Sequence, residues 1–171
     1  VETGSPIVDE NDVSNKDLYD NNDIFMFYSS SNAKPRAGNG SGEKISPRNI
    51  SMYKNLNKIV DWRRKLDDSW QVPMTIDGLR WNSVKHYYLG SHYKKGFPDF
   101  YKQFSLDSGS EMSNNIDMAV AAASKSGSYK NKQLRQTGVV QDPDFYEIKE
   151  NPRHLVERER ALEAKFTQNN D

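Results

Sequence analysis

The chain contains no cysteine. That excludes disulfides, thiolate metal sites and cysteine nucleophiles, and it is neutral about compartment. No apolar run reaches the roughly 18–20 residues that a membrane-spanning helix needs. The N-terminal stretch is acidic and polar, unlike a secretory signal. These features lead us to expect an intracellular soluble protein, or one packaged in an intracellular assembly. Excess charge is lacking too, since 24 Lys and Arg balance 24 Asp and Glu. A protein that holds nucleic acid by its phosphates alone would carry a basic surplus. The local clusters Arg63-Arg64-Lys65 and Lys94-Lys95 read either as solvated helix ends or as sites for one or two phosphates. Apolar residues are scarce as well, at 35% with a mean hydropathy of −0.94. A uniformly polar chain could not offset its ordering entropy, so the polar residues must gather in tails and loops.

Aromatic side chains are what the sequence has in abundance: three Trp, nine Tyr and seven Phe within 171 residues. They supply large buried surfaces to a small core, and the length suits one domain with some chain left over. Residues 1–22, rich in Asp, Asn and Ser, read as a flexible polar arm that orders on a protein partner. Residues 23–171 read as a single α+β domain, predominantly helical with a few short strands. Ile24–Tyr28 is a short dense apolar run expected to form a buried strand. It leads to a loop with Gly38, Gly40 and Gly42 at alternate positions, which frees the backbone for close approach to a ligand. The loop lacks P-loop spacing, because Glu43, Lys44 and Ile45 follow the last glycine. It is either simply flexible or a cradle for phosphate or ribose.

Ser46-Pro47 predicts a helix start, with Ile50, Tyr53, Leu56 and Val60 as an apolar stripe broadened by Ile59 and Trp62. Val72–Trp81 predicts a hairpin turning at Asp77-Gly78. Asn82 or Ser83 caps a central helix. Pro98 opens a short helix, Ser105–Asn115 is a polar loop, and Ile116–Lys125 is an alanine-rich helix stopped by Gly127. After a lysine- and glycine-bearing loop, Asn151-Pro152 begins a last helix with Leu155, Leu162 and Phe166 on its apolar stripe.

His86 and His92 stand six positions apart, on different faces of one helix, and no zinc-ligand spacing occurs, so no metal or cofactor is expected. Asp142-Pro143-Asp144 is either a turn with Asp144 as a cap or a source of acid–base carboxylates. Lys85 beside His86, set among Trp81, Tyr87 and Tyr88, is either a surface lysine or an amine whose apolar surroundings suit it to act as nucleophile or base.

Gly78-Leu-Arg-Trp81-Asn-Ser83-Val-Lys85-His86-Tyr87-Tyr88 resembles the G-x-x-W-x-S-x-E-H-Y-Y/F segment of NADAR (YbiA-like) N-glycosidases. Phe27-Tyr28-Ser29 is similar to that family's opening strand and Leu66–Trp70 to its Leu-Ser-Asn-Phe segment. Arg160–Phe166 with Gln168-Asn169 is similar to its Ala-Leu-x-x-Lys-Phe-x-Gln-Asn helix. The glycine-rich loop, the Trp62-Arg63-Arg64 helix and Phe104–Ser110 resemble members from large DNA viruses and some eukaryotes. The resemblance implies a NADAR-like domain that hydrolyses a ribose–nitrogen bond in ribosylated pyrimidines or in ADP-ribose attached to a nucleobase. Tyr28, Gly40, Gly42, Trp62, Asp68, Trp81 and Tyr87 would bind that ligand, with His86 in the catalytic segment. Lys85 stands where the family has its glutamate, and an ammonium repels a developing oxocarbenium ion that a carboxylate would stabilise. Lys85, Glu43 or Asp144 would have to take over that role. The resemblance also implies a further segment after the Lys-Phe-x-Gln helix, whereas this sequence stops at Asp171, as a fragment or as a domain without that wall. Both departures point to a protein degenerate in catalysis, acting as a structural or interaction component of a large assembly such as a virion. The alternative is an active ADP-ribosyl hydrolase or N-glycosidase.

Overall fold

A computed structural model describes residues 22–31 and 42–169. The expected arm, and Gly38 and Gly40, lie outside the described residues. The chain divides into two compact units between Arg64 and Lys65.

In the first unit the expected strand at Ile24–Tyr28 reduces to a single antiparallel bridge, Ile24 with Lys44, closed by backbone bonds of 2.6 and 2.9 Å. Ile24, Phe27 and Tyr28 are exposed rather than buried. Phe25 and Met26 are half-buried, Phe25 lying edge-on to Tyr53 and Trp62. The predicted helix from Ser46 also breaks up, into 3-10 turns at Ile50–Tyr53 and Leu56–Lys58 and one α-turn, α1 (Trp62–Lys65). Asn49, Asn55 and Asn57 disfavour a continuous helical ladder, and Asp61 takes a left-handed conformation with φ 56° just before α1. The expected stripe is consequently not a core face, since Ile50, Ile59 and Val60 are exposed. Asp23 organises the turn that follows Ser46, accepting from the Ser46 backbone N–H at 2.6 Å, from Asn49 at 2.7 Å and from the Tyr53 hydroxyl at 2.7 Å.

The second unit is a mixed α+β arrangement, mostly helical. β1 (Met74–Ile76) and β2 (Leu79–Trp81) form the predicted hairpin, with Thr75 opposite Arg80. Asp77 and Gly78 both have positive φ, as a two-residue primed turn requires. Met74, Ile76 and Trp81 face the core. Both outer edges are closed by side chains. Gln168 accepts from the Thr75 N–H at 2.7 Å and donates to its carbonyl at 2.9 Å, and Asp107 accepts from the Arg80 N–H at 2.6 Å.

Ser83 caps the central helix α2 (Val84–Ser91), accepting from the His86 N–H at 3.1 Å. Around α2 pack α3 (Pro98–Gln103), α4 (Ile116–Ala123) and α5 (Arg153–Gln168). Gly90 permits the close approach of α3: a Cβ there would lie 3.2 Å from the Phe104 Cβ and 3.3 Å from the Tyr101 carbonyl. The enclosed core is aromatic, built on Trp81, Tyr87, Tyr93 and Phe104. A second small hairpin, β3 (Ser128–Tyr129) with β4 (Lys132–Gln133), lies in the stretch expected to be loop. It turns on Lys130 and Asn131 with φ 45° and 65°, and a lysine in the first of those positions carries no turn signal.

The last helix presents only part of the face expected, since of its predicted stripe Leu162 alone packs against the core. Leu155 and Phe166 are exposed, and the buried positions are Glu157, Ala161, Ala164 and Lys165. The two alanines let α5 approach closely, and the two charged residues are met by polar partners inside. No helix among the described residues is long and apolar enough to cross a membrane.

Candidate functional site

The segment Trp81–Lys94 forms the end of β2, the cap and all of α2. Trp81 is fully enclosed; its indole N–H donates to the Ile76 carbonyl at 3.0 Å and its ring lies about 5 Å from those of Tyr87 and Tyr101. His86 is equally enclosed, with Nδ1 2.7 Å from the Ser83 hydroxyl and Nε2 3.0 Å from the Met112 carbonyl. Burial outweighs the Met112 bond and lowers its pKa from 6.5 to about 4, so the ring is neutral at pH 7. Both nitrogens are engaged with protein, which leaves none for a reacting group. Lys85 is half-buried, and its backbone N–H donates to the Asp68 carbonyl at 2.9 Å. Asp68 therefore lies beside Lys85 through the backbone, while its carboxylate is held by Arg158 at 2.9 and 3.2 Å.

Tyr87 is also fully buried, and its hydroxyl opens onto a charged cluster that the sequence did not announce. The phenol donates a short hydrogen bond to Glu157, and Lys94 and Arg160 reach the same oxygen at 3.2 and 3.0 Å. Asp77 accepts from Lys94 at 2.6 Å, from Arg160 at 2.6 Å and from the Tyr101 hydroxyl at 2.9 Å. Two carboxylates thus face two cations, and the charges cancel. Burial would raise the Asp77 pKa, but the bonds from Lys94, Arg160 and Tyr101 overrule it and hold the carboxyl well below the usual range. Burial, reinforced by Glu157 for Tyr87 and by Asp77 for Tyr101, pushes both phenols far up, so both stay protonated. Chemically the cluster is saturated: every acid has a base, and the phenol protons are committed to the carboxylates. The turn residue Asp77 was legible only as a turn, and Glu157 and Arg160 only as surface charge. The available signal was spacing, because Glu157 shares the helix face of Ala161 and Ala164.

The remaining predicted site residues do not converge on this place. Asp144 lies across α2, bonded to Lys95 and, at 2.8 Å, to Arg153; these bonds lower its pKa to about 2. Its neighbour Asp142 is buried and accepts from the backbone N–H groups of Lys95 and Gly96 at 3.0 and 2.8 Å. Asp142-Pro143-Asp144 thus ties down the chain after α2. In the first unit Glu43 is paired with Arg63 at 2.5 Å and accepts from the Met26 N–H at 3.0 Å. Burial opposes this, yet these bonds hold its pKa below the usual carboxylate value. Arg63 is buried, its guanidinium 4.4 Å from the centre of the Trp62 ring, so it is neither a solvated helix end nor an open phosphate site. Tyr28 is exposed, and a side chain at Gly42 would meet only the Met26 thioether, at ordinary contact distance.

A cleft of about 600 Å³ in the second unit, walled by Phe97, Phe100, Met112, Leu134 and Val139, contains none of these residues. Among the described residues no group of acids and histidines is arranged to hold a metal ion. The chain matches no protein-family model, no curated protein and no solved structure.

Proposed function

We propose that this chain is a NADAR-like protein without glycosidase activity, serving as an interaction component of a larger assembly. The observation that carries the reading is the enclosure of Trp81 and His86. Both have no exposed surface, and their ring nitrogens are spent on Ile76, Ser83 and Met112. Residues that the resemblance would assign to ligand binding and catalysis are used here as core. Lys85 adds a positive charge where bond cleavage needs a negative one. The surface favours association: Tyr146, Ile148 and Leu155, all from the N-terminal end of α5 and the segment before it, are exposed, Ile148 completely. In this reading these exposed residues are where a partner would dock.

The test incubates the protein with an ADP-ribosylated guanosine oligonucleotide and with ribosylamino-pyrimidines, with mass spectrometry of released base and sugar. The expected result is no turnover by the wild-type chain. Turnover that is present in wild type and abolished in Lys85→Ala would sink the reading.

A further inference from the structure

Lys165 is a buried cation with few partners, its ammonium lying 5.3 Å from the centre of the Phe166 ring on the same helix. Its side chain retains 3% of its surface, and its ammonium makes a single hydrogen bond, to the Asp67 carbonyl at 2.8 Å. Two of its three N–H donors therefore have no protein acceptor among the described residues. The Asp67 carboxylate makes no direct bond to the ammonium and accepts instead from the backbone N–H and hydroxyl of Ser69. Asp68 gives its carboxylate to Arg158. A leucine would fill this space without the cost of burying a cation.

The cavity that Lys165 lines gives the charge a use. It holds about 250 Å³ and is walled by Trp70, Val72 and Phe166, with Asn169 at one end. The only ionisable groups in its lining are Lys65 and Lys165, both cations. The Asn169 amide is already committed, donating to the Pro73 and Lys165 carbonyls. The lining therefore combines flat apolar side chains with two cationic ones, and no acid is among them. Burial depresses the Lys165 pKa despite the nearby Asp67 and Asp68 charges, so an anion in the cavity would help to keep the amine protonated.

We propose that this cavity binds a small planar organic anion, a single ring bearing one carboxylate or phosphate, with the ring against Trp70 and Phe166 and the anionic head between Lys165 and Lys65. The volume admits one ring and its head group and is too small for a dinucleotide. Lys165 is the anchor because its ammonium is the desolvated one, and a charge-assisted bond strengthens as water is excluded. Lys65 closes the site from the rim.

Isothermal titration of the full chain with benzoate, phenyl phosphate and the neutral isostere benzamide tests this. At least one anion is expected to bind ten-fold or more tightly than benzamide, and whichever anion binds tighter identifies the head group. Lys165→Met should abolish anion binding. Lys65→Met, at a less enclosed position, should weaken it several-fold and serves as the second variant if Lys165→Met does not fold. Benzamide binding as tightly as both anions, no binding of either anion, or anion binding unchanged in both lysine variants would overturn the proposal. Glycosidase turnover in the assay above would leave this result untouched, so the two readings fail separately.

Discussion

Neutralising Asp77 without disturbing its turn isolates the energy held in the charged cluster. Asp77→Asn is suited to this, because asparagine tolerates the left-handed conformation that position 77 requires at φ 54°. The wild-type carboxylate accepts from two cations at 2.6 Å and from Tyr101 at 2.9 Å. Its side chain is 26% exposed, between a surface pair worth about 0–1 kcal/mol and a buried one whose rupture costs about 3–5 kcal/mol. The amide keeps one acceptor for Tyr101 or Lys94 but leaves two cations facing the single charge of Glu157. A loss of about 2 kcal/mol at pH 7 follows, read from urea denaturation.

The sign with pH is fixed by the depressed carboxyl. Its stabilisation is complete above the unfolded value near 3.8 and is lost as pH falls towards the lower folded value. The gap between wild type and Asp77→Asn should hold from pH 7 to about 5. Below about pH 4 it should narrow, by at most about 1.4 kcal/mol per pH unit. Lys94→Met in the Asp77→Asn background should cost less than in wild type, since the two side chains share one interaction. A difference under about 0.5 kcal/mol at pH 7, or strict additivity of the two substitutions, would refute the claim that the cluster fastens α5 to the hairpin.

Two further outcomes follow from the same packing. Gly90→Ala should destabilise the fold by about 1–2 kcal/mol despite alanine's better helix propensity, because its methyl group would press on Phe104 and the Tyr101 carbonyl; an unchanged urea midpoint would mean that α2 and α3 yield easily. His86, neutral in the fold with a pKa near 4 against 6.5 unfolded, should cost about 2 kcal/mol of stability between pH 7 and pH 5, since the unfolded chain alone takes up the proton. His92 is depressed in the same direction, so the comparison is with His86→Gln, whose pH dependence over that interval should be smaller by that amount.

Where local chemistry determines local structure, the sequence was transparent. Asp77-Gly78 between apolar alternations could scarcely be anything but a hairpin turn, and Ser83 ahead of an aromatic run marks a helix start. Pro98 opens a helix for a similarly local reason, whereas α4 ends at Ala123 with Ser124 as its cap, short of the Gly127 stop that the sequence suggested. The failures arise where distant residues decide. The stripe Ile50–Val60 has helical spacing, but spacing does not show that the segment breaks into short turns, with Asp61 left-handed before α1. The apolar face of α5 misled for the converse reason: Ala161 and Ala164 are buried in the core, and Glu157 and Lys165 are met by Tyr87 and by the Asp67 carbonyl. Those partners lie 70 and 98 positions away. His86 illustrates a third kind of limit. Its residue type suited catalysis, and only the Met112 carbonyl, 26 positions on, shows both ring nitrogens to be occupied.

The hairpin at Met74–Trp81 has a further consequence for how the protein behaves in concentrated solution. A two-stranded ribbon has two bare margins, each able to recruit a strand from another molecule. Here Gln168 covers one at Thr75 and Asp107 covers the other at Arg80, so each margin is guarded by a single side chain rather than by a neighbouring strand. Fraying of the last turn of α5 would uncover the Thr75 margin while the aromatic core stays intact. Self-association would then begin from an almost native molecule, with the amide of Gln168 as the group that must first let go of Thr75.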